Sequence, residues 1–349
     1  MKVIFFTMAY NAQATVGRTI ESILNQTFYN FEYYVLDNAS TDNTKEIIFE
    51  YSEKDERVIP IHVNKNDTLN GSAFLYTLIY ATNADYIVWC DADDTYTPDF
   101  LEKMVDFAEE NQLDIAACGY DTIDGLTGEL IKHRALENNL ILYDNLFKEE
   151  FIQYRGFALH MWGKLYSIPF LKGGRGCAGT SKEEKICSDS AWVLGLFKKA
   201  KRAGVYGLAM YQHYRYPYSL SCTLVEEKAG MSGYQDLWIA TKEYLESYGP
   251  VSKLNEDFLY AIYLSFMDEA SGKVFAAELD TEKKLELLEV VFGNPVWTDT
   301  LKREADPMFR NLTLRKKFVS DIKEKIMSLP QIEKYPMEQQ RLFSYFKIL

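Results

Sequence analysis

Short apolar runs alternate with helix-spaced apolar positions along the first third of the chain. Residues 3–7 form a run that predicts a buried strand, and residues 19–26, with Ile20, Ile23 and Leu24 on one side, predict a short helix. A second strand over 33–36 stops at Asp37-Asn38-Ala39-Ser40, and Thr41 or Asp42 is placed to cap a helix that includes Ile47 and Ile48. Residues 58–61 predict a third strand and 71–80 a helix. A fourth strand over 86–90 runs straight into Asp91-Ala92-Asp93-Asp94. Pro98 then starts a helix to about Glu110, with Leu101, Met104, Val105 and Ala108 at core spacing, before a strand over 114–118.

Strand and helix joined by short connections predict an α/β fold with a mostly parallel central sheet covered on both faces. Such sheets bind ligands outside the carboxyl ends of their strands. Tyr10, Asn11, Asp37, Asn38 and residues 91–94 each follow a predicted strand, so the polar residues collect at that edge.

The pattern is less regular over 138–221, where a Gly/Lys-rich segment, 172–185, predicts a mobile loop that suits a lid over donor or acceptor, or an unstructured surface insertion. It has no strand followed by GxxxxGK[ST] spacing. Beyond Thr223, helix-spaced apolar residues over 233–247, 255–266, 282–291 and 311–327 predict a helical accessory region, broken near Pro250, Pro295 and Pro330. The expected organisation is a domain over 1–222 and a mostly helical region over 223–349.

Composition narrows the classes. With 349 residues, 47% of them hydrophobic, the chain has material for two domains. The formal net charge of −13 argues against broad affinity for nucleic acid. Five cysteines without a CxxC pair suit reduced thiols in a cytoplasmic protein, and only Cys177 and Cys187 flank a polar loop in a way that suits redox or soft-metal chemistry. The short apolar run after Lys2 does not make a signal peptide, and no stretch reaches the apolar length of a membrane span.

The carboxylates of Asp91, Asp93 and Asp94 crowd one strand end and repel one another unless a cation offsets their charge. An all-oxygen set favours Mg²⁺ or Mn²⁺ over zinc. The competing reading is a solvated turn in an acidic protein. His213-Tyr214-Arg215 supplies a guanidinium fork suited to a diphosphate and a histidine that is a further candidate for the metal. Against that stands a plain aromatic segment made by Tyr211, Tyr214, Tyr216 and Tyr218. His62, His133 and His160 have no ligand-like spacing and read as structural.

Residues 1 to about 222 resemble family 2 glycosyltransferases, the inverting group with the GT-A fold. The resemblance runs through Tyr10-Asn11, Ile20, Ser22-Ile23-Leu24, Gln26-Thr27, Phe31-Glu32, Asp37-Asn38-Ala39-Ser40, Asp42 and Asp91-Ala92-Asp93-Asp94. It continues with Trp162, Lys164-Leu165-Tyr166, Ser188-Asp189, Tyr214-Arg215 and Ser219-Leu220-Ser221. It implies that Tyr10 and Asp37 hold the base of a nucleotide-diphospho-sugar donor, a UDP-sugar. Asp91 then meets the ribose or the metal region, Asp93 is the principal ligand of Mn²⁺ or Mg²⁺, and Asp189 is the catalytic base. The chain departs from the family pattern at Met8, at Asn38 and at Ser188, where an acidic residue usually precedes the base. From local sequence alone, Asp189 leads into Ala191-Trp192-Val193-Leu194 and equally suits a helix cap.

The expected function is transfer of a sugar, with inversion, to a glycan or lipid-linked saccharide acceptor in bacterial surface polysaccharide synthesis. The expected setting is the cytoplasm, with peripheral attachment at the inner membrane face open. Two other readings compete with this one. A sugar-phosphate nucleotidyltransferase needs a Gly-rich basic loop, whereas 7–18 offers only Gly17 and Arg18. A degenerate glycan- or protein-binding module would have no use for Asp91, Asp93 and Asp189. Arg310, Arg315, Lys316 and Lys317 form a basic patch that suits anionic lipid or a solvated helix face. The terminal Leu342-Phe343-Ser344-Tyr345-Phe346 suits docking on the helical region, subunit pairing or membrane contact.

Overall fold

The computed structural model describes residues 1–173, 188–217, 228–302 and 312–346. The described residues of Met1–Lys182 and Trp192–Tyr216 form one compact unit, and those of Glu183–Ala191 and Pro217–Leu349 form a second.

The first unit is built on a 10-stranded sheet. In chain order its strands are β1 (Val3–Ala9), β2 (Phe31–Asp37), β3 (Val58–His62), β4 (Tyr86–Trp89), β5 (Thr95–Tyr96), β6 (Ile115–Asp124), β7 (Leu130–Arg134), β8 (Leu140–Tyr143), β9 (Lys164–Ser167) and β10 (Arg202–Arg215). They lie in the order β3-β2-β1-β4-β9-β6-β10-β5, with β7 paired to β6 and β8 to β10. β3, β2, β1 and β4 are parallel neighbours, as are β6 and β10. β9 runs antiparallel between β4 and β6. The sheet is therefore mostly parallel with one reversed strand inside it and antiparallel ribbons outside.

Helices cover both faces. α1 (Val16–Leu24) and α4 (Phe100–Asn111) bury Val16, Ile20 and Ile23, and Leu101, Met104, Val105 and Ala108, against Val3, Phe5, Tyr33, Val35 and Val88. α1 begins ahead of the expected Thr19 because Val16 is itself a core residue and Ala12 O accepts from the amides of Thr15 and Val16. α2 (Thr44–Lys54) follows β2. Its Asn43 makes no side-chain cap; Asp42 instead accepts from the amide and hydroxyl of Thr44 at 3.0 and 2.5 Å. On the opposite face, α3 (Thr68–Ala81) stacks Phe74 on Phe6, ring centroids 5.9 Å apart.

The strand over 114–118 extends to Asp124, and the stretch that read as irregular contains β9 and the 14-residue β10. β10 carries register shifts between Tyr206 and Ala209 and between Ala209 and Tyr211, which break the alternation a strand displays in sequence. Lys172 and Gly173, expected in the mobile loop, close a helix Ile168–Gly173. Residues 174–187, with Cys177 and Cys187, lie outside the described residues, as does Ser219-Leu220-Ser221.

The second unit contains helices Lys228–Glu246, Lys253–Ala276, Thr281–Phe292, Pro295–Lys302, Leu312–Met327 and Pro336–Ser344. Its core gathers Tyr234, Trp238, Tyr263, Phe292, Trp297, Ile322 and Ile326. Leu342 and Phe346 pack into that core, so the described part of the terminal segment docks on its own helices. Of the basic patch, Lys317 is exposed and Arg310 lies outside the described residues. Among the described residues, no helix is long and apolar enough to cross a membrane.

Candidate active site

β1, β2 and β4 end together, and the loops that leave them carry the residues singled out in the sequence. Tyr10 follows β1 and is exposed. Asp37 ends β2 and is 1% exposed; its Oδ1 accepts from the Ser40 amide at 3.2 Å and its Oδ2 lies 2.8 Å from His62 Nδ1 at the end of β3. His62, read from sequence as structural, thus holds the carboxylate expected to meet the base.

The loops after β1 and β2 are zipped together. Asn11 N donates to Ser40 Oγ (3.0 Å), Ala12 N to Thr44 Oγ1 (2.7 Å) and Gln13 N to Asp42 Oδ2 (3.2 Å). In return Thr41 N donates to Asn11 Oδ1 (2.8 Å) and Asn43 N to Gln13 Oε1 (3.1 Å). Asn11 and Ala39 take the left-handed backbone conformation, with φ of 49° and 61°, and the cross-loop bonds hold them there.

The acidic motif follows β4. Asp91 is exposed, Asp93 half-buried and Asp94 fully buried. Asp94 is the hub. Its Oδ1 accepts from the Tyr214 amide at 2.7 Å, and its Oδ2 accepts from the Tyr211 hydroxyl at 2.5 Å and faces His213 Nδ1 at 3.2 Å. Its carbonyl accepts from Thr19 Oγ1 at 2.9 Å. The motif is thereby bound to α1 on one side and to the end of β10 on the other. Arg18 completes the clamp: its Nη2 donates to the Asp93 carbonyl at 2.5 Å while its guanidinium lies 3.7 Å from the centre of the Tyr214 ring.

The electrostatics follow from this crowding. Burial, then the charge of Asp94, push the Asp93 carboxyl up to about 6, against the opposing pull of His213 and Arg18. For His213, burial pulls the ring down, but the bond to Asp94 and the charges of Asp94, Asp91 and Asp93 outweigh it and hold the imidazole above its usual value. Burial, followed by the three aspartates, keeps the Cys90 thiol well above its ordinary range, so the thiol beside the motif stays protonated and non-nucleophilic.

His213 faces Asp94 directly, and Asp91 and Asp93 lie in the same turn as Asp94. Arg215 ends β10 opposite Asp124, exposed and on the same side of the strand as His213. Asp189 lies in the first turn of the helix Ser188–Lys199, exposed and within the second unit.

Sequence reasoning missed the roles of Asp94, Arg18 and Tyr211. Asp94 and Tyr211 are 117 residues apart, and a local pattern cannot pair them. It also missed a stack in which Trp162 lies 4.2 Å from His160 and 4.4 Å from Tyr211, nearly parallel to both, and 5.4 Å from His213.

Among the described residues no group of three His, Cys, Asp or Glu side chains converges as a ready cation cage. The donor set still fits Mg²⁺ or Mn²⁺, which are held by one or two carboxylates with substrate phosphates completing the shell. A histidine whose Nδ1 is fixed on a carboxylate has the arrangement of a metal-ligating histidine.

A mostly parallel sheet with carboxylates at the carboxyl ends of its strands defines a GT-A-type transferase fold. Residues 5–168 match glycosyl transferase family 2, and that segment is homologous to its members. The glycosyltransferase GlyA of Streptococcus pneumoniae serotype 4 is 26% identical over 201 residues, which span 55% of this chain and 28% of GlyA. A crystal structure of Staphylococcus aureus TarS 1–349 superposes with a TM-score of 0.60 at 15% identity, covering 99% of this chain and 92% of that one. The mannosyltransferase PcManGT of Pyrobaculum calidifontis, solved with GDP-Man and Mn²⁺, gives 0.50 at 13% identity over 99% of this chain and 86% of its own. At these identities the two structures speak for the fold.

Proposed function

We propose that the chain transfers a sugar from a nucleotide-diphosphate donor, a UDP-sugar, to a glycan or lipid-linked acceptor with inversion, in bacterial surface polysaccharide synthesis. The observation that carries this reading is the Asp91-Ala92-Asp93 segment, held by Asp94 at the edge where Asp37 and Tyr10 also emerge. Tyr10 and Asp37 receive the base, with His62 and the zipped loops fixing Asp37. Arg215 lies along the diphosphate. Asp93, with Asp91 and His213, would hold Mn²⁺ or Mg²⁺, which when bound neutralises charge on the departing diphosphate.

Asp189 takes the proton of the acceptor hydroxyl. The oxygen then forms its bond to the anomeric carbon as the bond to the diphosphate oxygen breaks, and the electron pair leaves with the nucleoside diphosphate. The setting consistent with this chemistry is the cytoplasm, where nucleotide sugars are made, with peripheral attachment to the inner membrane face.

Calorimetry with a panel of nucleotide-diphosphate sugars, with and without Mn²⁺, tests the reading. One UDP-sugar is expected to bind in a Mn²⁺-dependent way, and Asp189→Asn is expected to keep that affinity while nearly abolishing transfer. A folded sample that binds no nucleotide sugar would overturn the proposal, and normal turnover by Asp189→Asn would remove that residue as the base.

A further inference from the structure

The first unit holds a second set of charged groups, of the opposite sign, that the chemistry above leaves unused. Arg134 ends β7 as the register partner of Tyr120 on β6. Its guanidinium lies 6.0 Å from the centre of the Tyr120 ring and 5.8 Å from that of Phe157. It rests on Gly156, where an added Cβ would come within 3.0 Å of Nε and closer still to Cζ and Nη1. A glycine is what lets the guanidinium lie there.

Arg134 lacks a counter-charge. Its Nε is buried with no hydrogen-bond partner. Asp121, the acid beside Tyr120 on β6, is taken by His133, 2.6 Å away. Among the described residues no carboxylate pairs with Arg134. A buried charged donor left unsatisfied is costly, so such a group calls for a partner that arrives from outside.

The neighbourhood is cationic well beyond one side chain. Burial raises the Tyr120 hydroxyl, and both Arg134 and Arg155 pull against it, which puts two guanidinium charges near one ring. His160, with its ring 5.6 Å from Tyr120, is held well below its usual value by burial first, and then by Lys164, His213, Arg134 and Lys132. These four charges are all cations. The Lys164 ammonium, 1% exposed as a residue, donates to the carbonyls of His160 and Trp162 and so fixes the strip between the two charge clusters.

Position gives the cluster its meaning. His160 stacks on one side of Trp162, while Tyr211 and His213, both bonded to Asp94, lie close on its other contacts. The aspartates and the cations are therefore separated by a single indole. If the donor diphosphate lies at Asp93 and His213, an acceptor hydroxyl in line with the anomeric carbon places the rest of the acceptor within a sugar's reach of Trp162.

We propose that Arg134, with Arg155 beside it, binds an anionic group of the acceptor, so that the acceptor is a saccharide carrying a phosphate or a carboxylate. The assignment to the acceptor rests on the donor reading above; the anion site itself does not. Guanidinium forks match both anions in a two-pronged geometry, and a charge with no internal partner gains most from one.

The full chain is titrated by calorimetry with inorganic phosphate and with glucuronate at constant ionic strength, each with and without saturating UDP and Mn²⁺. Saturable binding of at least one anion is expected while UDP fills the donor site, and the stronger of the two distinguishes a phosphate-bearing from a uronate-bearing acceptor. Arg134→Gln is expected to weaken it at least about tenfold. Gly156→Ala, which keeps the charge but lifts the guanidinium from its seat, is expected to weaken it as well, and it decides the matter should Arg134→Gln fail to fold.

No saturable binding of either anion, or unchanged binding in the folded Arg134 variant, overturns the site. Anion binding that depends on Arg134 but is lost once UDP and Mn²⁺ are bound overturns the acceptor assignment alone. Anion binding that depends on Arg134 in a chain that binds no UDP keeps the site and overturns the transferase reading.

Discussion

The carboxyl of Asp93, pushed up to about 6 by burial and by Asp94, ties two properties to pH with opposite signs. Between its ordinary 3.8 and about 6 the folded chain keeps a proton that the unfolded chain has released. The stability this group contributes is therefore complete below the unfolded value and is lost as pH rises through about 6. A cation needs the carboxylate, so Mn²⁺-dependent UDP affinity is expected to fall at least about tenfold per pH unit below about 6. His213, held above its usual value by Asp94, adds a second proton to displace where its ring joins the cation, which steepens the fall. Calorimetry from about pH 7.5 to 5 checks this; a flat profile in wild type would take Asp93 out of the cation site.

β10 reaches the site because a glycine lets it pass under α4. A Cβ on Gly204 would meet Leu113 Cδ1 at 2.7 Å and the Phe107 ring at 2.8 Å, in the packed interior of the sheet's helical layer. Gly204→Ala is expected to destabilise the first unit by about 1–3 kcal/mol, read as a lower urea midpoint at unchanged slope. An unchanged midpoint would mean that α4 yields at no cost.

The same strand shows what local pattern can and cannot carry. β1, β2 and β4 were legible because each is an apolar run ending in a polar turn, and the core face of α4 was legible from the spacing of Leu101, Met104, Val105 and Ala108. β10 was not, since its two register shifts scramble the alternation, nor was β9, whose Lys164 reads as a surface residue until its ammonium is seen bonded to buried carbonyls. In the site, the aspartates announced themselves by crowding. Asp94's grip on Tyr211 and His62's on Asp37 depend on chain segments that only folding brings together.

At the scale of the molecule, the described residues include two hydrophobic cores of separate make-up. In the second, Trp297 is fully buried, donates through Nε1 to the Tyr345 carbonyl at 3.1 Å, and packs on Phe292 and Phe346 at 5.1 and 5.8 Å. Trp297→Ala is expected to cost that unit about 3–5 kcal/mol, which denaturant unfolding measures; a loss under about 1 kcal/mol would show that the core closes over the gap.

The reversed strand β9 also sets an order of assembly on the ribosome. Residues 3–89 supply β1 to β4, so the donor half of the sheet can zip up as soon as that stretch is free. Its β4 edge then stays uncovered until residues 164–167 have been made, because β9, and not the earlier β6, is the strand that seals it. For the time needed to translate everything between, the nascent chain carries an open strand edge, Tyr86–Trp89, whose side chains are all buried in the finished fold, next to the future acidic motif. That interval is when this protein is most exposed to mispairing, and it is the stage at which a chaperone would have most to protect.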